Sequence, residues 1–228
     1  MDVIRSLTRK LQIGYHLAEA EMWLAASAHG AHSTPLAYAA FELRLEVERV
    51  ALELLVRMRG DALIPEDHES IRAFGKMENK IYELEGHQRT LDRKIAFFNT
   101  MLDALQVDWR CQPINVGRLR SWWHYCSELC HVTWTLIADS KEGPHASEQA
   151  FEELSQIREQ LGTLITKGIS WPRIADASFA KLQADYLENR TGDVEVRAWL
   201  SERGLWASKV SADGSSEFVG VAVPPTAG

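Results

Sequence analysis

NVGRLRSWWHYCSELCHVTWTLIADS, residues 115–140, is the stretch from which the fold is read, because it joins aromatic bulk to ionisable chemistry in one helical window. It holds three Trp, two His and two of the chain's three Cys. At roughly 100° per residue, Arg120, His124, Ser127 and His131 fall within about 60° of one another as a polar stripe. The flanks carry Leu119, Trp122, Trp123, Cys126, Leu129, Val132, Leu136 and Ile137. A helix apolar around most of its circumference is normally buried, so the stripe needs partners, water or a substrate.

Outward from this window the pattern is helical in both directions. Residues 3–29 place Ile4, Leu7, Leu11, Tyr15, Ala18, Met22 and Ala25 at spacings of three and four, with Gly30 as the stop. Ser33, Thr34 and Pro35 start a second helix that runs to Arg59 before Gly60. Within it Glu42, Glu46, Arg49 and Glu53 form a charged stripe, and Phe41, Leu45, Leu52 and Leu55 an apolar one. The charged stripe is read either as a solvated face or as support, through Glu42, Glu46 or Arg49, behind the His stripe of residues 115–140. A third helix is expected from Pro65, with acidic residues in its first turn. A fourth, about 87–105, should bury Leu91, Ile95, Phe98, Met101, Leu102 and Leu105.

After the central window, helices are expected over about 146–166, 174–189 and 193–203. The fold class is therefore all-α, an irregular antiparallel bundle of five to seven helices over residues 1–206. Residues 207–228 are rich in Gly and Ser and poor in helix formers, and read as a flexible C-terminal tail in which Phe218–Val223 could form a strand.

Composition bounds the function. A chain of 228 residues with 46% hydrophobic content supports a substantial core. A net charge of −7 argues against a generally basic nucleic-acid coat and leaves room for a site that uses few charges. An odd number of Cys is not a disulfide framework, and no apolar window of roughly 18 residues is free of charge. No membrane association is expected, and a reducing cytoplasm is the expected location.

The chemistry narrows by geometry. His124 and Cys126 point about 160° apart on a helix, so His124, Cys126, Cys130 and His131 do not converge on one zinc ion. Glu128 and His131 make a Glu-x-x-His, but the only other copy, Glu142 to His145, crosses Gly143-Pro144, so a di-iron bundle lacks its second helical copy. Phosphate-loop and nucleophile-elbow signatures are absent. No cofactor and no metal is implied. Metal-free RNA cleavage needs only a histidine to move a proton and a guanidinium to grip the phosphorane. Arg118 with His124, and Arg120 with His124 on one face, offer both.

The stretch Arg118-Leu-Arg-Ser-Trp-Trp-His124 resembles the Arg-x4–6-His motif of the HEPN superfamily (higher eukaryote and prokaryote nucleotide-binding domains). Arg9 and His16 satisfy the same spacing in the first helix. The resemblance covers the central and second helices, less than a third of the chain. It implies an endoribonuclease that dimerises so that two motifs face each other, acting on RNA in toxin-antitoxin or anti-phage systems, with an antitoxin or defence partner protein. The window Tyr125-Cys-Ser-Glu-Leu-Cys-His131 also resembles a Tyr-x-x-x-Leu-x-His pattern of some HEPN-like proteins, which implies His131 as the functional histidine with Arg120 as its companion. That pair is about 16 Å apart along one helix, so it would act only across a two-fold dimer. A second class of function stays open: a catalytically inactive helical interaction subunit of a larger assembly, for which the eight Trp are suited as anchors.

Overall fold

The computed structural model describes residues 13–60, 63–131, 143–169, 171, 177–202, 205–210 and 216–222, with side chains from 145 in the third of these long segments and none in the last two. Eight α-helices lie among them: α1 (Tyr15–Ala26), α2 (Ser33–Arg59), α3 (Phe74–Glu85), α4 (Gln88–Ala104), α5 (Val116–Leu129), α6 (Gly143–Lys167), α7 (Ala177–Leu187) and α8 (Asp193–Ser201). A hairpin of β1 (Leu205–Val210) and β2 (Ser216–Ala222) follows. The described residues are thus all-α up to the hairpin, apart from two 3-10 turns. It divides into two compact units, Met1–Leu84 with Ile114–Ile169, and Glu85–Pro113 with Ser170–Gly228.

In the first unit α2 is the spine, packed against α1, α5 and α6. Leu36, Leu43, Val47, Val50 and Leu54 form its buried face, and Ala39, Ala40 and Ala51 let neighbouring helices approach closely. This face is offset from the expected one: Leu55 is buried, but Leu45 and Leu52 are half-buried and Phe41 is exposed. For α1 the offset is larger. Tyr15, Ala18, Met22 and Ala25 are exposed, whereas Ala20 and Leu24 are buried. The remaining members of that expected stripe, Ile4, Leu7 and Leu11, lie outside the described residues.

The rotation of α1 has a specific cause. Gly14 takes a left-handed backbone (φ +90°) just before the first turn, which glycine adopts without strain. The Gly14 N–H donates to Glu46 Oε1 at 2.8 Å and the His16 N–H to Glu46 Oε2 at 3.1 Å. Glu46, fully buried, thereby caps α1 from another helix, satisfying donors that a helix start leaves open. His16 Nδ1 adds a contact to Glu42 Oε2 at 2.6 Å. At the other end Ser27 Oγ donates to the Leu24 carbonyl and accepts from the Gly30 N–H. A Cβ at Gly30 (φ +91°) would stand 2.7 Å from the Ser147 carbonyl oxygen, so only glycine fits this turn against α6.

Gly60 ends α2 in a left-handed conformation. The expected helix from Pro65 is replaced by two short 3-10 turns, Pro65–Asp67 and Ser70–Arg72, and α3 starts only at Phe74. Asp67 explains the difference. Its buried carboxylate is gripped by Arg59 through two bonds of 2.9 and 2.8 Å and accepts the Ile64 N–H at 3.3 Å, which holds the turn tight. The Arg59 guanidinium keeps the Asp67 carboxyl below the usual carboxylate range.

The second unit gathers α4, α7 and α8 around Phe97, Phe98, Phe179, Tyr186 and Val196. All six residues expected on the buried side of the fourth helix are buried here. Asn99 exchanges two bonds with the Cys111 backbone, pinning the connector after α4. Asp193 accepts from Thr100 and from the Tyr186 hydroxyl. β1 and β2 pair as antiparallel strands from Leu205 opposite Ala222 to Val210 opposite Ser216, and β2 overlaps the Phe218–Val223 segment read as a possible strand. Among the described residues no helix is long and apolar enough to cross a membrane.

Glu46→Ala removes the internal cap and strands two backbone donors. A loss of roughly 2–4 kcal/mol in unfolding free energy is expected, with Glu46→Gln losing less. Urea unfolding followed by far-UV circular dichroism reads this directly; an unchanged midpoint for Glu46→Ala would show that the cap is not a stability determinant.

Candidate functional site

The central helix α5 begins where Asn115 caps it, its side chain accepting the Arg118 N–H at 2.8 Å. It runs to Leu129 with Cys130 as its cap, and the remainder of the expected helix, residues 132–140, lies outside the described residues. Val116, Leu119, Cys126 and Leu129 are buried and hold α5 to its unit. Trp122 and Trp123 are half-buried. Arg118, Arg120, His124 and His131 are all exposed. The arginines and histidines of the helix therefore face outward, while Ser127 is half-buried.

Arg120 and His124 come together. The Arg120 Nε lies 3.5 Å from His124 Nε2, at the outer edge of hydrogen bonding, and its Nη1 is 3.6 Å from the carboxylate of buried Glu78 on α3. A guanidinium can only donate, so this contact places the accepting, unprotonated nitrogen of the imidazole towards Arg120. Arg118 points elsewhere around the helix, its Nη1 reaching Gln160 Oε1 on α6 at 3.4 Å. Trp123 is the anchor beneath His124. It stands edge-on to the imidazole at 5.1 Å, stacks on Phe74 at 5.8 Å, donates its Nε1–H to Glu48 at 2.6 Å and receives Arg44 over its ring at 4.9 Å. These contacts tie the histidine to α2 and α3 through one aromatic ring.

Other sequence-identified residues fall in different places. Ser127 Oγ donates back to the Trp123 carbonyl at 2.7 Å, a bond within its own helix. His131 lies just past the helix end, its N–H on the Glu128 carbonyl, and is roughly 16 Å along the axis from Arg120. Glu42 and Glu46 serve α1, through His16 and the Gly14 and His16 amides, and do not support the His stripe. Arg49 follows them on the same face, and its Nε is buried with no hydrogen-bond partner among the described residues. The carboxylates that do reach the Arg/His group are Glu48, behind Trp123, and Glu78, beside Arg120. Glu48 pairs with Arg44 at i,i+4, a signal visible in the sequence once the 44/48 face of α2 is turned towards the Trp; Glu78 left no such signal.

The thiols are structural. Burial, with the neighbouring Cys130 as a smaller cause, pushes Cys126 up to about 12, and burial also raises Cys130, whose Sγ lies 3.9 Å from the Ala37 carbonyl. Cys126 turns inward while His124 and His131 turn outward, so these groups do not converge on a common point. Tyr125 is pushed up to about 12 by burial and then by Glu153, and stays protonated at neutral pH. The second unit holds an open cleft of about 520 Å³ lined by Arg93, Tyr186, Asn189, Arg190, Thr191 and Asp193 among others. Its Arg190 is paired with Asp185 and Glu188, Glu195 accepts the Gly192 N–H at the start of α8, and Arg93 lies over the Tyr186 ring.

With the Cys126 thiol at about 12, only on the order of one molecule in ten thousand carries the thiolate at pH 8. A disulfide reagent at pH 8 is therefore expected to leave Cys126 unmodified in the folded chain and to label all three Cys after denaturation. Rapid labelling of Cys126 in the folded state, read by peptide mass, would contradict its burial. No protein-family model, curated protein or solved structure matches this chain.

Proposed function

We propose that the chain is a HEPN-type, metal-independent endoribonuclease that acts as a homodimer in a prokaryotic toxin-antitoxin or anti-phage system. The observation that carries the reading is the exposed Arg120 guanidinium against the exposed His124 imidazole on one turn of α5. An unprotonated imidazole nitrogen accepts the proton of an RNA 2′-hydroxyl as its oxygen attacks the adjacent phosphorus. The phosphorus–O5′ bond breaks, the departing oxygen takes a proton, and the products are a 2′,3′-cyclic phosphate and a 5′-hydroxyl. Arg120 stabilises the charge that builds on the phosphorane.

In-line displacement puts the attacking and leaving oxygens on opposite sides of phosphorus. One imidazole cannot reach both at once, so the second proton transfer is assigned to the other copy of the chain. His131 enters on this reading as the alternative histidine, opposite Arg120 of the second copy. Cleavage is confined to the cytoplasm, where a partner protein restrains or triggers it.

Incubating the purified chain with single-stranded RNA in EDTA is expected to give products ending in 2′,3′-cyclic phosphate. His124→Ala should slow cleavage by roughly a hundredfold or more, and Arg120→Ala by a comparable factor. Equal cleavage by wild type and His124→Ala would sink the assignment, and a monomer by light scattering at micromolar concentration would remove the two-copy site.

A further inference from the structure

Four buried side-chain polar atoms have no hydrogen-bond partner among the described residues: Arg49 Nε, Arg93 Nε, Arg158 Nε and Thr191 Oγ1. Two of the four, Arg93 Nε and Thr191 Oγ1, belong to residues that line the open cleft of about 520 Å³ in the second unit. That volume is in the range of small-molecule sites. Buried polar groups are normally bonded, and one left open weighs against the folded chain until a partner supplies the missing bond. Two such atoms at one concave place mark where a ligand would complete the bonding.

The charges of the lining define that ligand. Arg190 is held by Asp185 at 2.6 Å and by Glu188 at 2.5 Å. Arg93 instead donates through Nη2 to the Tyr186 carbonyl, lies 5.0 Å from the centroid of the Tyr186 ring and pairs with no carboxylate among the described residues. Two carboxylates at the cleft each keep one oxygen free of hydrogen bonds among the described residues. Asp193 takes the Thr100 and Tyr186 hydroxyls, at 2.9 and 2.8 Å, on Oδ1, and Glu195 takes the Gly192 N–H on Oε2. Tyr186 stands between the opposite charges, its ring face under the Arg93 guanidinium and its hydroxyl on the Asp193 carboxylate, so the two do not neutralise each other. A guanidinium N–H only donates, a carboxylate only accepts, and the Thr191 hydroxyl does either.

We propose that this cleft binds a free α-amino acid. Its carboxylate accepts from Arg93 Nε and Thr191 Oγ1, and its ammonium donates to Asp193 Oδ2 and Glu195 Oε1. Both donor side chains are half-buried, and rotation about their own torsions presents the two shielded atoms to the ligand. A purely anionic ligand would meet two carboxylates, and a purely cationic one would leave both open donors without an acceptor. A zwitterion answers both ends and, being neutral overall, is not repelled by the chain's net charge of −7. Asn189, exposed in the lining, offers an amide to a polar side chain of the ligand. The site lies within the second unit and does not rest on the ribonuclease reading of Arg120 and His124.

Titrating each of the standard amino acids, to about 10 mM, into the full ¹⁵N-labelled chain and following its amide resonances tests the proposal. At least one amino acid is expected to give saturable shifts centred on Thr191 and Gly192. The analogues of that amino acid lacking the amino group or the carboxyl group should each bind roughly tenfold more weakly or worse. Arg93→Met should weaken binding by about tenfold or more, and Thr191→Val, which keeps the shape of the side chain, by several-fold. Absence of saturable shifts at these amides with every amino acid overturns the proposal. An analogue with only one of the two charged groups that binds as tightly as the amino acid overturns it too, because the cleft then reads a single charge. Unchanged affinity in both variants also overturns it, and if Arg93→Met fails to fold, the affinity of Thr191→Val decides alone.

Discussion

The first unit depends on one buried carboxylate. Glu46 sits in the middle of the longest helix, fully shielded from water, where an uncompensated charge would be strongly unfavourable. It is compensated by two backbone N–H groups at the start of α1, where the helix dipole also favours a negative group. Because both oxygens are engaged, α1 has little freedom to slide or roll against α2. With that register set, Trp23 meets Tyr38, Gly30 meets the Ser147 backbone and Leu17 lies close to Gly162. The carboxylate at 46 therefore decides which residues of α1 face the core.

That constraint explains why the sequence is legible in some helices and misleading in others. In α4 the apolar positions are flanked by Arg89, Asp92, Arg93 and Lys94, so hydrophobic spacing has one answer and the buried side is read correctly. In α1 the chain offers two apolar stripes, one through Tyr15, Ala18, Met22 and Ala25 and one through Leu17, Ala20 and Leu24. Periodicity cannot choose between them. A tertiary bond from Glu46, 30 residues away from His16, makes the choice. The same holds for the turn after α2, where a local helix-start pattern yields to the Arg59–Asp67 pair.

The site was legible in part for a related reason. Angular spacing along one helix is local information, so Arg120 and His124 on one face of α5 could be read from residue numbers alone. What surrounds them is not local. Glu48 and Glu78 arrive from two other helices, and the Trp123 ring that orients His124 is held by Phe74, Glu48 and Arg44 together. Glu42 and Glu46 had the right chemistry for that role but lie on the side of α2 turned to α1. On a helix a difference of two residues is about 200°, which separates Glu46 from Glu48 completely.

The carboxylate beside Arg120 has a consequence for how such a site would bind. Glu78 is buried while Arg120 is 57% exposed, so the guanidinium can swing towards a ligand and the carboxylate cannot follow. A phosphate arriving at Arg120 has to displace a contact already made at 3.6 Å and approach a fixed negative charge. A single copy of the stripe therefore holds an anion weakly, because the other arginine of α5, Arg118, reaches away towards Gln160. Two copies facing one another would double the cations around one phosphate while keeping each Glu78 on its own side, behind its own arginine. On the ribonuclease reading, the negative groups packed around α5 keep the isolated chain a poor binder of phosphate, and assembly is what tips the balance.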